Sequence, residues 1–216
     1  MSILIGVIDD QVRGVYLAAD NRSLDLDNKF VSDFNTKVFA IRPDILYGLS
    51  GLTEEGLKLL ALLNKAPKDL PASELVKIAS KFKSKPVMHN GRSIGSTFVL
   101  AGIYDNGQPF LFDRTVAPLE EIDPHEGPIP GHLQIVKPGL VVGQPAFIVS
   151  APKEKTSEVI RQNFVKNLIE EKGNYSLTIA RAIKYAASID NAISPTMDIF
   201  TIDTLEKKMY NKHMVL

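Results

Sequence analysis

The chain of 216 residues contains no cysteine. That absence removes disulfides, thiolate nucleophiles and zinc–thiolate sites together. An excess of one charge is also missing, since Lys plus Arg and Asp plus Glu both number 25. No net field draws the chain to nucleic acid or to an anionic membrane, and no Lys/Arg cluster supplies a local one. Neither is expected as a partner. No apolar run reaches the ~18 residues of a membrane span, and the start lacks both a basic n-region and a signal-length apolar core. The expected location is the cytoplasm. Histidine is scarce: His89, His125, His132 and His213 are dispersed. None forms a ligand spacing, and each reads as a loop residue, so no metal site is expected. Segment 91–96 carries glycine but neither a P-loop nor a dinucleotide fingerprint, so no nucleotide or other cofactor is assigned. Glu120, Glu121, Asp123 and Glu126 read as a solvated acidic face.

What is present suits one fairly large domain over 1–216, with 44% hydrophobic residues to fill a core. Apolar runs at 3–8 and 15–19 flank a polar turn and make a hairpin. Segments 30–41 and 45–50 read as a second pair of strands, broken at Arg42-Pro43-Asp44. A helix is expected over 53–65 with Thr53 as N-cap, and another over 72–83 with Ser73 near its start. Strands at 97–104 and 109–113 flank Asn106-Gly107, a hairpin signal. A Pro/Gly-rich stretch at about 117–145 is long for a connection, a property of functional or mobile loops. A strand at 147–150, helices at 155–172 and 177–189 separated by Gly173-Asn174, and a strand at 197–202 complete the order. The pattern predicts an α+β fold of two stacked antiparallel sheets covered by helix pairs.

The chemistry concentrates at the start. Removal of Met1 would make Ser2 the first residue, carrying a hydroxyl and a free α-amine. An α-amine titrates at about 7.7–8.0, so it can accept the hydroxyl proton near neutrality without a histidine. Ser2 is followed by an apolar strand reaching Gly6, by Gly14-Val15-Tyr16-Leu17-Ala18-Ala19-Asp20-Asn21-Arg22, and by Lys37-Val38-Phe39. In order and spacing these pieces resemble the proteasome β-subunit family of N-terminal-nucleophile hydrolases, specifically in the first third of the chain and more weakly beyond.

That resemblance implies a four-layer αββα sandwich and a threonine-type peptidase chemistry with serine in the threonine's place. Ser2 would attack a peptide or amide carbonyl, Lys37 would lower its pKa, and Asp20 would keep the buried lysine charged. Gly51 would offer its N–H to the oxyanion, beside a helix start whose dipole favours the developing charge. Asp190 would support the α-amine, while Asn35, Leu49 and Thr53 would line the specificity pocket. Those three side chains are neutral, so apolar or small neutral residues are the expected preference. Each residue also admits an ordinary role. Ser2 is a common second residue, Lys37 can face solvent from a strand, Asp20 can be a turn carboxylate, and Gly51 can be a connector at positive φ.

Two departures from the family pattern stand out. Ile193 occupies the position of a serine that touches the terminal amine, and the Ser-Gly-x-Gly loop expected after Ser150 is replaced by Ala151-Pro152-Lys153. Ser194 and Thr156 are the nearest substitutes. Three functions follow from the sequence. The first is a proteasome-like peptidase or amidohydrolase working as a ring of identical subunits, with any ATPase or regulatory cap unassigned. The second is a catalytically inactive β-type homologue with a structural or assembly role, and the third a hydrolase of a non-peptide amide.

Overall fold

The hairpin at the start supplies two adjacent strands of one of the two large sheets. In this computed structural model, which describes residues 2–9, 11, 13–83, 87–90, 92–116, 133–136, 145–150, 154–171 and 173–216, β1 (Leu4–Ile8) and β2 (Gly14–Asp20) pair antiparallel with Leu4 opposite Ala19. The next elements are β3 (Ser23–Leu24), β4 (Phe30–Ser32), β5 (Val38–Arg42), β6 (Ile45–Gly51), α1 (Thr53–Lys65) and α2 (Ala72–Lys81). They are followed by β7 (Val87–His89), β8 (Arg92–Ile94), β9 (Ser96–Ile103), β10 (Pro109–Val116), β11 (Leu133–Val136) and β12 (Ala146–Ser150). The chain closes with α3 (Glu154–Glu170), α4 (Tyr175–Ile189), β13 (Thr196–Asp203) and β14 (Lys208–Val215).

Two five-stranded sheets result, in the orders β12-β1-β2-β13-β14 and β11-β10-β9-β6-β5, with antiparallel pairing throughout. Strand alternation then divides the apolar residues between faces. From the first sheet, Ile3, Ile5 and Val7 pack with Ile160 and Phe164 of α3 and Ile179 and Ile183 of α4. Leu4 and Ile8 turn the other way, into a core shared with Leu46, Val99 and Leu111 of the second sheet. Gly6 lies on that inner face, where a Cβ would stand 3.2 Å from the Leu111 side chain. On its outer face the second sheet packs Tyr47, Leu49, Phe98 and Phe110 against Leu59 and Leu63 of α1 and Leu75 and Ala79 of α2. The fold is therefore α+β, with antiparallel sheets and four helices among the described residues, compatible with a sandwich. None of those helices is long and apolar enough to cross a membrane.

Several boundaries and roles differ from expectation. The single strand expected over 30–41 is divided into β4 and β5. Thr53 is the first helical residue rather than the cap; Leu52 holds the cap position and makes no side-chain hydrogen bond. The helix expected over 72–83 ends at Lys81, with Ser73 in its first turn as expected and Pro71 at the cap position. The stop signal at Gly173 holds, with φ +85° there and Asn174 accepting from Leu177 N at 3.2 Å. Within the expected loop at 117–145 lies β11, which pairs with β10 through Leu111↔Val136; positions 117–132, with the acidic cluster, His125 and His132, and 137–144 are outside the described residues. His89 and His213 are strand residues, not loop residues, bonded to Asp27 at 2.7 Å and Asp198 at 2.8 Å.

Candidate active site

The residues just before β1, β5 and β13 converge on the end of β2, at Asp20. Asp20 is the last residue of β2 and fully buried. Its Oδ1 accepts the backbone N–H of Ile3 at 2.9 Å, and its Oδ2 accepts those of Arg22 at 2.9 Å and Ser194 at 3.1 Å. Lys37 Nζ is the fourth donor, 3.3 Å from Oδ2, and it also donates to the Arg22 carbonyl. A buried carboxylate with four donors is a satisfied group, not a loose turn residue. The solvent-facing reading of Lys37 is thereby excluded, while Asp20 closes its own turn through Arg22 N and binds the lysine as well.

Lys37 precedes β5 and is 6% exposed, so its strand neighbour does not turn it to solvent. Burial pushes its ammonium below the usual lysine range, and the charge and hydrogen bond of Asp20 oppose that fall. Asp33 opposes it too, while Arg22 adds to it. Arg22 is itself forked onto Asp33 at 2.7 and 2.8 Å, and its hydrogen bond holds the Asp33 carboxyl below the ordinary carboxylate range. The same guanidinium donates to the Asn191 carbonyl at 2.7 Å, tying segment 22–33 to the turn after α4.

Ser2 is 4% exposed, and its carbonyl accepts from Ser50 Oγ at 3.0 Å. Ser50 is the residue before Gly51, so the nucleophile candidate and the oxyanion candidate lie on neighbouring backbone. Gly51 has φ +84°, and a Cβ on it would stand 2.2 Å from the Gly95 carbonyl oxygen. Only glycine fits there. Leu52 N donates to that same oxygen at 3.2 Å, which sets the turn from β6 into α1.

The other expected residues are placed differently. Asp190 Oδ1 accepts Ala192 N at 2.9 Å, and the Asp190 carbonyl accepts Ile193 N at 3.0 Å. Its carboxylate therefore closes the turn after α4. Leu49 is 3% exposed and packs beneath Gly56 of α1, because alternation puts it on the face opposite Ser50. It is a core residue rather than an open pocket wall. Asn35 and Thr53 are exposed. Ile193 belongs to the core against the helices, whereas Ser194 is fully buried at the site, its Oγ 2.8 Å from Thr196 Oγ1. Met1 and the side chain of Thr156 are outside the described residues.

Sequence reasoning missed Ser50, the carbonyl of Arg22 and the amide of Ser194. Arg22 carried a signal through its place in the Asp20-Asn21-Arg22 run, and Ser194 was named for its hydroxyl rather than its amide. A cavity of about 520 Å³ lies at the opposite end of β6, lined by Arg42, Asp44, Leu63, Lys68 and Asp105. It is unrelated to Ser2: Arg42 forks onto Asp44 there at 2.8 and 3.0 Å, and strand β6 separates it from the Asp20 cluster. No protein-family model matches the chain, and no curated protein matches it.

Proposed function

We propose that the chain is an N-terminal-nucleophile hydrolase of the proteasome β-subunit type, using Ser2 after removal of Met1 to cleave a peptide or amide bond in the cytoplasm. One observation carries this reading. A buried lysine, Lys37, is held on a carboxylate whose other oxygen receives the amide N–H of Ile3, the residue next to Ser2. Burying an ion pair at the start of a chain has a desolvation cost of several kcal/mol, on the order expected for such pairs, and it is accounted for if the cation acts on the neighbouring hydroxyl. The resemblance in the first third names these same residues. The three cores support the finer architecture, a four-layer αββα sandwich with α3 and α4 over one sheet and α1 and α2 over the other.

In this reading the α-amine of Ser2 takes the hydroxyl proton as Oγ attacks the carbonyl and returns it to the leaving amine. Lys37 favours the deprotonated hydroxyl electrostatically, and the Gly51 N–H receives the oxyanion. Identical subunits would assemble as a ring. The inactive β-type homologue is favoured by one feature, the Asp190 carboxylate closing its own turn with Ile193 in the core. Intact mass of the purified chain, combined with a fluorogenic peptide and simple-amide panel, decides between them. The hydrolase reading expects loss of Met1 and turnover that disappears in Ser2→Ala. Hydrolysis by material that retains Met1 would rule out Ser2 chemistry, and a processed chain that cleaves nothing would favour the inactive homologue.

A further inference from the structure

Ser50 is the penultimate residue of β6. Alternation along that strand puts it on the same face as Gly48 and Leu46, toward the first sheet. The sheets approach closely at this level, since a Cβ on Gly48 would stand 3.1 Å from Leu4 Cδ2. The Ser50 hydroxyl thus crosses from one sheet to the first residues of the other and donates to the Ser2 carbonyl at 3.0 Å. On the other side of the same peptide group, Ile3 N donates to Asp20 Oδ1 at 2.9 Å. The Ser2–Ile3 peptide plane is therefore held at both ends, by a hydroxyl on its oxygen and by a carboxylate on its N–H. Ser2 and Ser50 are 4% and 8% exposed, so water does not readily take over either contact.

We infer that Ser50 is a positioning residue for Ser2, an inference that rests on the hydrolase reading above. With Met1 absent, the backbone of Ser2 keeps one soft torsion, ψ, which carries the α-amine around the Cα–C bond. A fixed peptide plane gives that rotation a fixed reference. The same hydroxyl stands one residue before Gly51, so it also registers the nucleophile against the amide that would receive the oxyanion. Losing the clamp lets the amine and hydroxyl leave the reactive geometry without changing any group that performs chemistry, and misplacement of this kind costs rate more than substrate affinity.

The test compares wild type, Ser50→Ala and Ser50→Thr, each with Met1 removal verified by mass and folding verified by thermal midpoint. The probe is whichever fluorogenic peptide or amide the wild type cleaves. Ser50→Ala is expected to lower kcat by about 10- to 100-fold with KM nearly unchanged, and Ser50→Thr, which restores a hydroxyl, to recover most of that loss. Wild-type kcat in Ser50→Ala, or a loss that Thr does not rescue in folded protein, overturns the positioning role while leaving the hydrolase reading intact. A processed wild type that cleaves none of the panel fails the hydrolase reading itself, and the role of Ser50 falls with it.

Discussion

Asp113 offers a test of the fold that does not depend on catalysis. It lies on β10 two residues after Leu111 and in register with Val99 of β9, so alternation turns it into the space between the two sheets with those side chains. Its Oδ1 is buried and has no hydrogen-bond partner among the described residues. The inter-sheet core to which Leu111 and Val99 belong is built of uncharged side chains, Ala101, Leu4 and Ile148 among them. Arg114, next in the chain, points to the opposite face and donates to the carbonyls of Ala79 at 2.9 Å and Ser80 at 2.6 Å. Burial pushes the Asp113 carboxyl up from 3.8 to about 7, with a backbone hydrogen bond at Arg114 opposing part of the rise.

The sign follows from proton counts. Between pH 4 and 7 the unfolded chain has lost the Asp113 proton and the folded chain has kept it, so stability falls as pH rises through that window. A gap of roughly three pH units at about 1.4 kcal/mol each gives a penalty of about 4 kcal/mol once the folded carboxyl ionises. In a chain of this size that corresponds to roughly 8–16 °C in midpoint. Asp113→Asn is neutral at every pH and nearly isosteric. Thermal melts from pH 4 to 8.5 should show the wild type losing stability relative to the variant across the window, with the difference levelling above pH 7.5. Comparing slopes, not absolute midpoints, removes the separate cost of placing an amide there. Parallel profiles for the two proteins would refute both the burial of Asp113 and the inward face assigned to it.

Lys37→Ala should lower hydrolysis by about 10²–10⁴-fold, the range for loss of a group assisting proton transfer. The fold should persist, because Asp20 keeps three backbone donors in Ile3, Arg22 and Ser194; rate assays beside circular-dichroism melts check both halves. Gly51→Ala should destabilise by more than the ~1 kcal/mol typical of alanine forced to positive φ, since its Cβ would meet a backbone oxygen that no rotamer change relieves. A denaturant midpoint equal to wild type would mean that the β6–α1 turn is built differently.

The parts of this fold legible in the sequence are those whose cause is local. The apolar run at 3–8 marks a strand, and the structure buries both of its faces, Ile3, Ile5 and Val7 in one core and Leu4 and Ile8 in another. Strand β14 was not legible because it is an edge: most of Lys208–Val215 is exposed on both faces, so no apolar periodicity marks it. Strand β11 was not legible because its four residues stand between prolines and glycines in the sequence.

The candidate site divides along the same line, for a different reason. Asp20, Lys37 and Gly51 could be named from spacing in the chain; the structure puts Asp20 on the Ile3 amide, Lys37 on Asp20, and Ser50, the residue before Gly51, on the Ser2 carbonyl. What completes the cluster is main chain: the amides of Ile3, Arg22 and Ser194, and the carbonyls of Arg22 and Ser2. Every residue other than proline carries the amide, so residue type cannot single out those that serve here. Their selection is made by topology, which lays β13 beside β2 in register Met197↔Asp20 and so delivers Ser194, 174 positions away, to the same carboxylate. Leu49 was misread for the converse reason. It has a local use, the underside of α1, and that nearer use determines where the side chain points.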